Sequence, residues 1–546
     1  MEKKDQAGKA AETVQWRKKI GGLCEILMQS AATVYLLVVA CMVPLYMYDG
    51  YYGLGTVKFQ LYRNVSFVIL PAMVIFAAAK AAGSVKIRRL PQGGGKAERR
   101  LWNQRKVREW LPELFLVAYG AAVIFSFCLS SYKKEGLFGA EGWHMGLFSQ
   151  LSFLALYFYY ACVWKAEKEA VGIVLGVSCG ICLLAVLNRF GIWPLDFRGR
   201  SDTTLSTIGN VNWLCGYLSV LLPAGTAVFW GRCREGQKSG KWQQAGTGFF
   251  TAAAFLCTAV QGSDSGFLII GTALYVLFLI SCGDGAGMSA FWDVFLTASG
   301  AVFAGLFGLT VFREAGNGVP VTVLYGAGGC TAAAFAGRIW WKRKGSTADA
   351  CRQERLLSGM RKGGMALLVC AAALCAGLFA VGTLGGAGMK ESLPSVFIFN
   401  ENWGNGRGAI WMECLEIWKE QGMVRKLFGV GPDCLKAFLY AEQGSRPILA
   451  QTYAQVALTN CHNEWMTLLM NIGLLGLAAY AGFLVSAAVR FLRKGGTAGA
   501  AGALAVITYT VHNMVSFQQI TSTPLLFLAM GLAWNSGCIT RENKVE

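Results

Sequence analysis

Charge is what this sequence has little of. Only 15% of its residues are Asp, Glu, Lys or Arg, where soluble domains carry about 25%. No soluble domain is expected from that supply. Proline is scarce too, 11 among 546 residues, so long helices meet few breaks. The chain has three histidines, and no spacing of Cys, His or acidic residues matches a metal site. The glycine-rich loop that cradles a nucleotide phosphate is also missing, which argues against an ATP-driven pump.

Apolar sequence is what the chain has instead, at 54%. It comes in repeated runs of membrane length, since about 20 helical residues cross the hydrocarbon. About fourteen spans are expected, with cores at 22–48, 64–84, 110–131, 143–164, 169–188, 208–230, 247–262, 265–282, 289–311, 318–338, 363–387, 463–489, 497–515 and 522–537. The 68 glycines suit close approach of membrane helices. Most of the 18 cysteines sit inside apolar runs as small hydrophobes; Cys179 and Cys182 are read as helix packing. Cys414, Cys434 and Cys461 fall in a polar segment, where a disulfide between two of them stays open. No cleavable signal peptide is expected, because the first apolar run is of full membrane length.

The net charge of +19 is unevenly spread. Basic residues crowd into 1–20, 86–108, 232–241 and 338–362, and alternate with weakly basic loops. That is the positive-inside pattern of a multi-pass membrane protein, and it argues against nucleic acid as a partner. Both termini are expected in the cytoplasm. The organisation read is an N-terminal bundle over 1–387, a large extracytoplasmic loop over 388–461, and C-terminal helices with a short cytoplasmic tail over 462–546. The fold class is all-α, polytopic, with about 12–14 transmembrane helices.

The polar segment has structure of its own. Residues 399–407 are turn-rich. Over 408–421, Ile410, Trp411, Cys414, Leu415 and Trp418 recur at helical spacing, with Glu413, Glu416, Lys419 and Glu420 opposite. This predicts an amphipathic helix lying on the membrane. Pro432 and Asp433 then open a second short helix.

Two polar clusters stand out for chemistry. Arg407 lies at the start of the amphipathic helix, where unpaired N–H groups and a guanidinium together suit a phosphate or diphosphate. His462 stands at the mouth of the next span, and imidazole is the side chain best suited to take a proton from a hydroxyl near neutral pH. Glu464 is placed to orient that ring or accept a proton, and Asn463 to hold a substrate hydroxyl. Arg198 and Arg200 offer a second anion clamp in the loop before Asn210 and Asn212. Asp264 reads as a turn residue, and His512 with Asn513 as a hydrogen bond between helices.

The run His462-Asn-Glu-Trp-Met-Thr-Leu-Leu-Met-Asn-Ile-Gly-Leu-Leu-Gly resembles a signature of the bacterial O-antigen ligase and O-antigen polymerase family of membrane glycosyltransferases. Arg407-Gly-Ala-Ile-Trp411 is similar to that family's Arg-x-x-x-Trp, Leu427-Phe-Gly-Val-Gly-Pro to its G-x-G-P turn, and Gly209-Asn-Val-Asn212 to its G-N-x-N. The resemblance implies a C-type glycosyltransferase-like membrane fold in the bacterial cytoplasmic membrane. It implies a polyprenyl-diphosphate-linked glycan donor, a glycan or glycolipid acceptor, and neighbouring polysaccharide-assembly proteins. Arg407 would hold the diphosphate and His462 activate the acceptor, with Arg198, Arg200, Asn210, Asn212, Trp411, Asn463 and Glu464 binding substrate and no metal or cofactor. One departure is that the family's Ser-Arg turn between two middle spans reads Ser263-Asp264-Ser265 here, so Arg198 or Arg200 would supply the missing cation, or the donor binds differently. The competing reading is a flippase of lipid-linked oligosaccharides, which calls for charged groups deep within several spans.

Overall fold

The computed structural model describes residues 2–83, 109–164, 167–238, 240–312, 319–386, 388, 392–453 and 457–535. The basic stretch 86–108 lies outside them. The long helices are α1 (Glu2–Leu37), α2 (Leu54–Gly83), α3 (Leu111–Leu129), α4 (Leu147–Cys162), α5 (Lys168–Arg189), α6 (Val211–Glu235), α7 (Lys241–Val260) and α8 (Ser265–Ser281). They continue as α9 (Gly285–Phe312), α10 (Val321–Trp340), α11 (Ala350–Leu384), α12 (Trp403–Glu420), α13 (Leu435–Glu442), α14 (Glu464–Lys494), α15 (Gly496–His512) and α16 (Thr523–Asn535). One antiparallel pair, Thr204–Leu205 with Gly209–Asn210, is the only sheet among the described residues.

The expected span cores fall on these helices. Among the described residues eight helices are long and apolar enough to cross a membrane, fewer than the expected fourteen, while Leu147–Cys162, Ser265–Ser281 and Thr523–Asn535 are apolar but shorter. The chain is therefore an all-α bundle with a multi-pass membrane character. Helix α6 is its axis, buried along most of its length and packed on α7, α9 and α15. Helix α14 packs on α3 and α15, and α16 on α4. Helix α11 is peripheral: Leu367, Val369 and Leu374 on it are each more than 60% exposed, an apolar surface suited to lipid.

Two charged groups inside the bundle find partners, although Arg490 Nε has none among the described residues. Arg490 of α14 meets Glu113 of α3 at 2.6 Å, and the Tyr157 hydroxyl donates to the same carboxylate at 2.5 Å. The buried Lys58 ammonium donates to the carbonyls of Val43, Pro44 and Tyr46 at 2.7–3.0 Å, closing the end of the preceding helical stretch.

Two expectations are corrected. The apolar run after His462 reads as one long helix, yet α14 breaks at Gly473, where φ is +73° and ψ −175°. The break exposes the carbonyls of Met470 and Asn471, which accept the N–H groups of Val430 and Gly431 at 3.0 and 2.9 Å. Asn471 Oδ1 also accepts the Leu435 N–H at 2.9 Å. A buried backbone must be paired, and the Gly-Val-Gly-Pro turn supplies the donors. Only glycine fits at 473, since a Cβ would stand 2.3 Å from the Leu427 backbone.

The second correction concerns the amphipathic helix. Its apolar face is turned into protein: Ile410, Cys414 and Ile417 are buried with Leu435, Phe438, Leu439 and Leu449 in a small core of their own. The acidic face is gathered by Arg446, which pairs with Glu413 at 2.7 Å and with Glu420. Cys414 and Cys461 stand thiol to thiol at 3.5 Å in this core, both free.

Candidate functional site

Arg407 is delivered by a left-handed turn. Gly404, Asn405 and Gly406 all have φ between +60° and +86°, so the regular part of α12 begins at Arg407. Gly408 next to it is required by packing, because a Cβ there would meet the Asn400 carbonyl at 1.9 Å. One turn on, the Trp411 indole N–H donates to the Cys461 carbonyl at 2.9 Å. That bond fastens the Arg407 helix to the residue just before His462. Trp411 is thus a positioning residue, its polar atom spent, and not a free substrate contact.

His462 is itself held in a left-handed conformation, φ +49°, uncommon for a residue with a side chain. Its N–H donates to Asn460 Oδ1 at 2.9 Å, and its ring lies 5.4 Å from that of Phe517, edge to face. Burial, and secondarily the Arg407 charge, push the imidazole down from 6.5 to about 4. It is neutral at pH 7. Neither the His462 ring nor the Arg407 guanidinium has a hydrogen-bond or ion-pair partner among the described residues, and burial lowers the pKa of the half-buried arginine. The unpaired cation lies close enough to the neutral base for its charge to act on the ring.

No protein-family model matches this chain, and no curated protein matches it.

The other expected site residues turn out differently. Asn463 caps α14, its Oδ1 accepting the Met466 N–H at 3.0 Å, so its oxygen is committed to the helix. Glu464 does not orient His462. It is buried and points into the bundle, accepting from Gln518 at 3.1 Å and from Asn513. Asn210 caps α6 through the Asn212 N–H at 2.8 Å, and Asn212 Oδ1 accepts the Ser263 hydroxyl at 3.0 Å, tying the Gly262–Gly266 turn to α6. Arg198 pairs with Asp49 at 2.7 Å and is 77% exposed; Arg200 pairs with Asp196 at 3.6 Å and lies over the Trp193 ring. Neither is a bare clamp. The cation at the Ser-Asp-Ser turn is Arg189, which donates to the Val260 carbonyl at 2.8 Å and packs on Gly262. As the last residue of a span it carried no motif to mark it.

Two further residues join the site. His512 is within electrostatic reach of Arg407. Asn513 gives its amide N–H to Glu464 and so presents its oxygen to His512 Nδ1, 2.8 Å away. That order of donors leaves His512 Nε2 as the bare nitrogen, buried and without a partner. Asp433 is buried at φ +58°, its Oδ2 accepting the N–H groups of Ala140 and Met145 at 2.9 and 2.8 Å. Burial pushes its carboxyl up from 3.8 to about 7, against the pull of those two bonds. It latches the 139–146 loop to the Gly-Val-Gly-Pro turn. Nothing in the local sequence marks it, since the role depends on a loop 288 positions away.

Chemically, a bare guanidinium suits an anionic group, and a neutral imidazole beside it can take a proton from a hydroxyl.

Proposed function

We propose that this chain is a membrane glycosyltransferase of the O-antigen ligase or polymerase type, which transfers or polymerises polyprenyl-diphosphate-linked oligosaccharide at the outer face of the bacterial cytoplasmic membrane. The observation that carries the reading is the unpaired Arg407 beside the neutral His462, fastened by the Trp411–Cys461 bond at the end of an apolar bundle. In the reaction, an acceptor hydroxyl oxygen bonds to the anomeric carbon of the donor glycan. The bond from that carbon to the diphosphate oxygen breaks, and its electron pair leaves with the polyprenyl diphosphate. Arg407 neutralises the departing charge, and the hydroxyl proton passes to His462. A neutral ring is needed for that proton, and the arginine helps keep it neutral.

The flippase reading draws less support. Two of the charged groups within the bundle, Arg490 with Glu113 and Lys58 with three carbonyls, are bound to protein partners and are not free to line a translocation cavity. The test compares surface polysaccharide and lipid-linked intermediates in the host, wild type against His462→Ala at equal protein level. Loss of long polymer with build-up of lipid-linked short glycan is expected. An unchanged profile would remove His462 as the base and the glycan-transfer reading with it.

A further inference from the structure

A cavity of about 340 Å³ opens between the 51–55 turn, Trp143 and the start of α6, within the range of small-molecule pockets, about 300–1,000 Å³. Three aromatic side chains line it, Tyr51, Trp143 and Trp213, with Thr204 and Asn210 among them. Trp143 and Trp213 meet edge to face at 5.8 Å and 66°, so two ring surfaces are set at an angle to one another. The Asn210 oxygen is spent on its helix cap, while its amide nitrogen has no partner among the described residues. Gly53 contributes bare backbone, and a Cβ there would meet nothing within 4 Å. Leu54 is the one aliphatic side chain among the described lining residues.

That lining is poorly suited to an isoprenoid tail, which packs best on aliphatic surface. It is well suited to a sugar ring. The C–H faces of a pyranose stack on indole and phenol rings, while its hydroxyls find the Asn210 amide donor; the Tyr51 and Thr204 hydroxyl protons are spent on the Ser206 and Ser201 carbonyls. The cavity is also joined to the chemistry. Trp143 lines both it and the adjoining gap that holds Asp433 and Glu464. Its ring lies 4.5 Å from Phe517, which in turn lies 5.4 Å from His462.

We infer that this cavity is a saccharide subsite, which seats one pyranose ring of the glycan against the angled faces of Trp143 and Trp213. The inference rests on the glycan-transfer reading for its purpose, but its test does not. The full-length protein in lipid nanodiscs is mixed with the methyl glycosides of glucose, galactose, N-acetylglucosamine and glucuronic acid in turn. Saturation-transfer-difference NMR then reads contact with the protein. At least one glycoside should give transfer signals that are lost in Trp213→Ala and restored in Trp213→Phe, which keeps an aromatic face. Gly53→Asn supplies a second variant should Trp213→Ala fail to fold. Asparagine tolerates the +57° φ of that position, and its side chain narrows the cavity, so signals should fall there too. No signal from any glycoside, or signals unchanged in both cavity variants, would overturn the inference. So would signals displaced by geranylgeranyl phosphate from a site insensitive to Trp213, which would mark a lipid groove. Saccharide binding in a protein whose His462→Ala variant keeps full polymer synthesis would sustain the subsite and sink the transfer reading. Absent binding with a dead His462→Ala variant would do the reverse.

Discussion

The Arg407–His462 pair makes a quantitative prediction about one proton. In the folded chain His462 titrates near 4 instead of 6.5. At about 1.4 kcal/mol per pH unit, that gap is about 3 kcal/mol against charging the ring. Burial supplies the larger share and the arginine the smaller. Arg407→Gln removes the charge but leaves the ring buried, so the midpoint should rise by less than half of the gap to 6.5. The sign extends to stability: the unfolded chain takes up a proton below 6.5 that the folded chain refuses until about 4, so His462 costs stability as pH falls through that window. The measurement is a pH titration of histidine 13Cε1 shifts in nanodiscs. With three histidines in the chain, His462→Ala identifies the resonance by its loss. A His462 midpoint near 6.5 in the wild type would refute the burial of the ring, and one unmoved by Arg407→Gln would refute the reach of the Arg407 charge.

Other expectations follow from the same geometry. Asp433 keeps its proton in the fold up to about 7 but loses it near 3.8 when unfolded, so it withdraws about 4 kcal/mol of stability as pH rises across that range, largely offset by the opposite contribution of His462 between about 4 and 6.5; wild-type thermal stability should change little there, whereas that of Asp433→Asn should rise with pH. Arg490→Met leaves Glu113 buried without its cation, and unfolding in detergent should show a loss of about 3–5 kcal/mol, whereas Arg198→Met, on an exposed pair, should cost about 1 kcal/mol or less. Gly473→Ala forces a side chain into a left-handed position against the Leu427 backbone and should cost more than about 2 kcal/mol by thermal unfolding, with polymer synthesis lost in parallel.

The sequence determined by itself what is local or periodic. Long apolar runs and scarce charge dictated helices of membrane length, because a backbone in hydrocarbon has to satisfy its own hydrogen bonds. The Asn-Gly-Arg turn and the Cys-His-Asn-Glu mouth of a span were also legible, since a helix start leaves a signature within a few residues. Tertiary structure alone decided which polar groups stay bare. Trp411, Asn463, Asn210 and Asn212 have the chemistry of ligand contacts, yet each commits a polar atom to the fold. Arg198 and Arg200 are taken up by acids, and Glu464 looks away from the histidine beside it in sequence toward Asn513, 49 positions on. Conversely, His512 and Asp433 gain their places only because distant segments meet. Hydrogen-bond commitment is settled by partners in space, and spacing along a chain does not encode it.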